Sequence, residues 1–461
     1  MFYKKIKDIT DNLVSFHVPG HKYGRLIDKY KDFYTNIPEI DTTEIPGTDN
    51  LYECTSIIKD SLNKASKVFK SDYTFFLVNG STCGIYAMIM TVTQPKDKLI
   101  IARDCHQSVI NACILADIEP IYIYPKINKE LGISMGVSYE DVAKALDENS
   151  DAKGLIITSP NYFGIASDIK RISDLLKKQN KYFLVDEAHG AHLGLSDLIV
   201  DSAILNGADM VVQSTHKTLP SFTQSSMLHV KSDKVDIKKL KSILKIVQSS
   251  SPSYILMSSL DMAVNIYEKE GKYLMKQLIE NILDLKKFCK SLKNITIFEN
   301  DDMTKIYIIT KKIRKSGYQI EQLLRDEYNI QVELSNLCGV LLVSSIANTK
   351  DDFERLKKAL LDIDNLIGDE DISYFYKNIY PNKILNPKEA FYKEKKKVRI
   401  NEAIGKVCGE YIIPYPPGIP VISLGEQITK EIVDYVIHLK EIGMTITGVE
   451  DESLNYIQVI D

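Results

Sequence analysis

Residues 208–220, ADMVVQSTHKTLP, decide how the chain is read. Met210, Val211 and Val212 make a short apolar run that reads as a buried strand. The run delivers Ser214, Thr215, His216 and Lys217 just before a Thr-Leu-Pro turn. Open α/β sheets gather their ligands at strand carboxyl ends, so Lys217 reads as a Schiff-base lysine. Taken alone, a surface lysine at a strand exit is the far commoner case, and the decision rests on the flanking sequence.

That sequence alternates. Apolar or β-branched runs fall at 74–78, 98–102, 120–124, 154–158, 181–185, 209–213 and 226–230. Helix-like segments at 84–93, 108–116, 139–146 and 169–179 lie between most of them. Such alternation implies an α/β fold, with a mostly parallel seven-stranded sheet covered on both faces, in one large domain over 56–255. The rhythm then changes. A long helix at 260–288, strands at 294–298, 305–310 and 339–344, and helices at 318–327 and 350–366 suggest a smaller α+β domain over 256–368. Residues 369–461 form a C-terminal unit with a Pro/Gly-rich segment at 412–426, a helix at 428–442 and a closing strand at 456–460. Residues 1–55 read as an irregular arm shaped by the turn dipeptides Pro19-Gly20 and Pro46-Gly47.

The totals narrow the function classes. A chain of 461 residues is expected to split into two or three domains. A formal net charge of -4 with no basic tail leaves no footprint for nucleic acid. The basic cluster Lys393–Lys397 reads as a solvated face. Seven cysteines, an odd number without a CxxC pair, argue for reduced thiols and a cytoplasmic location. The amphipathic start MFYKKIKDIT has no following apolar region, so no signal peptide is read. No apolar run approaches the roughly 18 residues that would span a membrane.

Three further strand ends carry chemistry. Asn79-Gly80-Ser81-Thr82-Cys83-Gly84 joins a strand to a helix, offering free N–H groups, two hydroxyls and the positive end of a helix dipole to a phosphate. Arg103-Asp104-Cys105-His106-Gln107-Ser108 places His106 where its ring lies flat against a planar ligand. Val185-Asp186-Glu187-Ala188-His189 ends an apolar strand in Asp186, a carboxylate that needs a partner. DEAH strings also occur in helicases, but here no phosphate loop accompanies one. His17 and His21 have the spacing of a helical zinc pair, yet the Pro-Gly between them breaks the helix, and no metal is expected. A phosphate cradle, a stacking histidine, a buried acid and a lysine 31 residues after that acid together fit pyridoxal 5′-phosphate.

With these motifs the sequence resembles the Orn/Lys/Arg decarboxylase family, of aspartate-aminotransferase-like fold (fold type I), over nearly its whole length. FHVPGHK (16–22), TEIPGTDNLYE (43–53), VNGST (78–82), RDCHQS (103–108), VDEAHGAH (185–192), QSTHKTL (213–219), SSSPSY (249–254) and PYPPGIP (414–420) carry the likeness. It resembles the shorter form of the family, without an N-terminal receiver-like domain. Many relatives have GRI where this chain has Gly405-Lys406-Val407.

The resemblance implies Lys217 as the imine lysine, Asp186 as partner of the pyridine nitrogen and His106 as the stacked ring. It implies Ser81, Thr82 and Ser214 at the phosphate, His216 beside the lysine at the reacting face, and His189 at the phenolic oxygen or the substrate. Ser250 is expected to reach the phosphate of a partner subunit, in a homodimer with shared sites. Glu333, with His17 from the arm, is expected to meet the substrate. The implied reaction is decarboxylation of a basic L-amino acid, arginine ahead of lysine or ornithine, to agmatine, cadaverine or putrescine. The alternatives are an aminotransferase or α-oxoamine synthase on the same scaffold, or a catalytically silent paralogue.

Overall fold

The computed structural model describes residues 1–26, 30–368, 380–415, 419–441 and 444–460. In chain order the first strands are β1 (Val14–Phe16), β2 (Tyr73–Leu77), β3 (Lys98–Ala102), β4 (Glu119–Ile123), β5 (Ile127–Asn128) and β6 (Ile133–Ser134). Then come β7 (Gly154–Thr158), β8 (Tyr182–Asp186), β9 (Met210–Gln213) and β10 (Ser226–Val230). Seven of these form one sheet, ordered β2-β10-β9-β8-β7-β3-β4. Only β10 runs against its neighbours; the remaining pairings within the sheet are parallel. Its central strands are near-continuous apolar runs because both faces are covered, and separate apolar clusters pack on each side. The helix Gly80–Val92 lies hard against the sheet: a Cβ on Gly84 would come within 2.6 Å of Leu77 and Val212.

The sequence pattern locates this sheet to within one residue, and register supplies what the pattern cannot. Thr158, Asp186 and Val212 pair across β7, β8 and β9, so Asp186 ends its strand beside the exit that leads to Lys217. The first helix opens at Gly80 rather than 84, because Gly-Ser-Thr is itself the first helical turn. The expected single helix at 260–288 is two, Tyr254–Ile266 and Lys272–Cys289, joined by a π-helical turn at Tyr267–Gly271. There Tyr267 donates to the Leu193 carbonyl at 2.7 Å, and a Cβ on Gly271 would meet Leu195 at 2.6 Å.

A second sheet holds β11 (Thr296–Ile297), β12 (Lys305–Ile309), β14 (Leu334–Asn336) and β15 (Gly339–Val343), all antiparallel. The arm is not irregular as expected. It begins with a helix, Phe2–Thr10, and β1 pairs in parallel with β13 (Ile330–Val332). The partner stands more than 300 residues away, and no local pattern announces such a pairing.

In the C-terminal unit β16 (Lys395–Arg399) pairs with β20 (Tyr456–Ile460), which also pairs with β17 (Val407–Cys408). The lysine cluster lies largely on the exposed edge strand β16, where charge discourages further strand addition. The short pair β18 (Ile413–Tyr415) and β19 (Thr445–Thr447) precedes and follows the helix Lys430–Glu441. Ile442, at the end of the expected helix, and residues 416–418 of PYPPGIP lie outside the described residues. The Arg103 guanidinium fastens this unit to the large sheet, gripping both Glu426 oxygens at 2.9 and 2.7 Å and the Pro420 carbonyl at 2.8 Å. Among the described residues no helix is long and apolar enough to cross a membrane.

Candidate active site

A cavity of about 290 Å³ opens over the carboxyl ends of β3, β7 and β8. Ser81, His106, Thr158, Tyr162, Asp186, His189 and Lys217 line it, with Arg103, Asp104, Tyr124, Tyr380 and Tyr435. Lys217 sits in a single helical turn, Thr215–Thr218, directly after β9. Its Nζ is 3.1 Å from His189 Nε2 and 5.7 Å from the centre of the Tyr162 ring. Burial lowers the lysine pKa, opposed by the charges of Asp186 and Glu333. A lysine so placed loses its proton, and becomes a nucleophile, more readily than one in water.

Asp186 is 3 % exposed and accepts one hydrogen bond, from the Ala188 N–H at 3.1 Å. Burial raises its pKa, and Lys217 opposes the rise. A cationic ring nitrogen brought against it would reverse the rise and hold the carboxylate charged. The adjacent Glu187 faces away from this chemistry. Ser202, the Ala203 N–H and Gln213 satisfy it, while burial still pushes its pKa up to about 7.

The turn expected to cradle a phosphate joins two segments through its hydroxyls. Ser214 Oγ donates to Ser81 Oγ at 2.8 Å, which joins the turn after β9 to the helix start after β2. That helix has no side-chain cap, so its first N–H groups remain available to an anion. Thr82 lies in the same turn. His106 caps the helix Gln107–Ala116, its Nδ1 accepting from the Ser108 N–H at 3.2 Å, and its ring is exposed to the cavity. The cavity walls strip water from it and, with Lys217 nearby, push its pKa down to about 4. His189 is buried, its pKa held well below the usual value by burial and by Lys217, and its Nδ1 has no hydrogen-bond partner among the described residues.

Other expected residues lie further out. His216 Nδ1 is 2.8 Å from the Ser225 carbonyl, to which it donates, and the residue does not line the cavity. Glu333 is occupied at both oxygens, by the Val18 N–H at 2.9 Å and the Tyr162 hydroxyl at 3.1 Å. His17 Nε2 lies 3.0 Å from the Tyr23 hydroxyl, and His21 Nδ1 accepts from the Gly24 N–H. Ser250 is exposed; its neighbour Ser249 donates through its N–H to Asn79 beside the cradle. Tyr162, which touches His189 ring to ring at 4.2 Å and bonds Glu333, was missed from sequence, because a lone tyrosine after a strand carries no motif.

The family model of the Orn/Lys/Arg decarboxylase major domain matches residues 1–313, and that of the C-terminal domain matches residues 372–454. The chain belongs to the Orn/Lys/Arg decarboxylase family. It is 36 % identical over 485 residues to an arginine decarboxylase of Bacillus anthracis, covering all of this chain and 97 % of that one. It is 23 % identical over 559 residues to the inducible lysine decarboxylase of Escherichia coli (strain K12), covering 97 % and 78 %. The solved lysine decarboxylase of Francisella novicida superposes with a TM-score of 0.77 at 23 % identity, over 99 % of this chain and 80 % of that one.

The fold is that of the pyridoxal-phosphate enzymes of fold type I, and the decarboxylase family depends on that cofactor. The residues present fit it. The uncapped helix start with its paired hydroxyls suits a phosphate, the singly bonded Asp186 suits a protonated ring nitrogen, and the partnerless His189 Nδ1 and Thr158 Oγ1 remain to receive a polar group.

Proposed function

We propose that this decarboxylase takes L-arginine and releases carbon dioxide and agmatine, working as a cytoplasmic homodimer. The observation that carries the reading is the placement of the Lys217 amine, 3.1 Å from His189 and within the field of Asp186, in one cavity with the Ser81 hydroxyl. Arginine is favoured by the full-length similarity to an arginine decarboxylase and by the tyrosines of the cavity wall, whose ring faces suit a planar guanidinium. All seven cysteines are free thiols, which suits a reducing compartment. The homodimer rests on the family likeness, with exposed Ser250 available to a partner.

When bound, pyridoxal phosphate supplies an aldehyde for the lysine or substrate amine and a ring that accepts the electron pair left by departing carbon dioxide. Lys217 would be the amine that holds the cofactor. Asp186 would keep a proton on the ring nitrogen by facing it with a negative charge. Ser81, Thr82 and Ser214 would bind the phosphate with the helix N–H groups, joined by Ser250 of a partner subunit. His106 would lie against the ring. His189 orients the Lys217 amine, and Tyr162 packs beside both. Lys217, whose amine reaches the cavity, would return a proton to the α-carbon, and Glu333, with His17 of the arm, would lie toward the distal end of the substrate through the Tyr162 hydroxyl.

Carboxyl-labelled arginine, lysine and ornithine offered in parallel, with the amine product identified, test the reading. Arginine is expected to give the highest kcat/KM. A higher value for lysine or ornithine overturns the substrate, and no carbon dioxide from any of the three overturns the reaction.

A further inference from the structure

The N-terminal arm is threaded between the smaller sheet and the turn that carries Lys217. On the sheet side, Asn348 donates to the Ser15 carbonyl at 3.0 Å, Glu333 accepts the Val18 N–H, and Ser345 Oγ donates to the Gly20 carbonyl at 2.5 Å. Lys22 is fully buried, and its ammonium bridges the His17 carbonyl at 2.6 Å and the Val343 carbonyl at 2.8 Å. Glu333, Lys305, Asp352 and Arg25 supply the charges around it, and Arg25 is itself paired with Asp352. On the lysine side, the Gly20 N–H donates to the His216 carbonyl at 2.6 Å. A Cβ on Gly20 would lie 2.6 Å from the Leu219 carbonyl oxygen and 2.8 Å from the Leu219 nitrogen. Backbone meets backbone here, one residue before Lys217 and two residues after it.

We propose that Lys22 is a positioning residue for Lys217. Its ammonium pulls the two ends of the His-Val-Pro-Gly-His turn onto β15, which seats Gly20 against Leu219 and holds the His216 carbonyl. The direction of the Lys217 side chain is thereby set by the smaller sheet through the arm. A buried lysine satisfied by two carbonyls, with no carboxylate in ion-pair contact among the described residues, is costly unless it fixes geometry. Small errors in the placement of a reacting group cost large factors in rate. The inference rests on Lys217 being the cofactor lysine.

The test uses three holoenzymes, Lys22→Met, Gly20→Ala and the core control Leu360→Ala, together with Lys217→Ala. The readouts are the pH midpoint of the visible band of the lysine-bound cofactor without substrate, and KM and kcat with arginine. Lys22→Met and Gly20→Ala are expected to move the midpoint by about half a unit or more and to lower kcat about tenfold with a smaller change in KM. Leu360→Ala, which opens a cavity in the small-sheet core, is expected to lower Tm while the midpoint stays in place. A midpoint unmoved in both arm variants, or moved equally by Leu360→Ala, overturns the proposal alone. A band that survives Lys217→Ala overturns the lysine assignment and the proposal with it.

Discussion

Lys217 Nζ lies 3.1 Å from His189 Nε2, and burial lowers the pKa of both groups. Two cations at that distance repel, so the pair shares at most one proton near neutrality. His189 is therefore the neutral member of the pair, and the proposed reading has it orient the lysine. His189→Phe, which keeps a ring against Tyr162 but loses the nitrogen, is expected to lower kcat about 10- to 100-fold. Steady-state carbon dioxide release measures the loss, and unchanged kcat would remove His189 from the machinery.

Among the described residues Asp186 accepts a single hydrogen bond, from Ala188, and the proposed reading gives its other oxygen to the ring nitrogen. Asp186→Asn keeps the size and the Ala188 contact while removing the charge. An activity loss of about 100-fold or more is expected, with the cofactor still bound, as absorbance after gel filtration will report.

Ser81 and Ser214 hydroxyls are 2.8 Å apart, at the turn proposed to hold the phosphate. Each alanine substitution is expected to weaken cofactor binding about tenfold. The double variant should fall short of the product, because each hydroxyl positions the other. Titration of the apoenzyme with pyridoxal phosphate, followed by fluorescence, gives the three constants.

Arg103 and Glu426 are buried, at 5 % and 1 % side-chain exposure, and join the C-terminal unit to the cavity wall. Breaking the pair on one side, as Arg103→Met or Glu426→Gln, is expected to cost about 3–5 kcal/mol, whereas an apolar replacement of both recovers much of it. Urea unfolding of the single and double variants decides this. Equal loss in all three would show that the pair contributes through shape rather than charge.

Burial lowers the Lys22 pKa to about 7, helped by Lys305 and opposed by Glu333. The unfolded chain then binds the proton more tightly, so the penalty is full below about pH 7 and fades as pH rises toward 10.5. Wild type should therefore gain stability relative to Lys22→Met between those limits. Urea midpoints of the two proteins at pH 7 and pH 9.5 check the sign; a constant difference would mean that the ammonium is fully stabilised in the fold.

By itself, the sequence determined the large sheet, because buried parallel strands are continuous apolar runs and their exits carry chemically unusual residues. Lys217, Asp186, His106 and the Gly80-Ser81-Thr82 turn were legible for that reason: each ends its strand or follows it within five residues, and strand order brings the exits together. Tertiary structure alone decided how those exits are completed. The pairing of β1 with β13, the grip of Arg103 on Glu426, the Tyr162–Glu333 contact and the seat of Gly20 on Leu219 join residues up to 323 positions apart. Local periodicity does not encode such contacts. They form only when separate units close on one another, which is also why Glu333, legible as an acid, is held by Val18 and Tyr162. Lys217 was thus singled out by its place in the chain, while its neighbours His189 and Tyr162 and the arm behind it were fixed by packing.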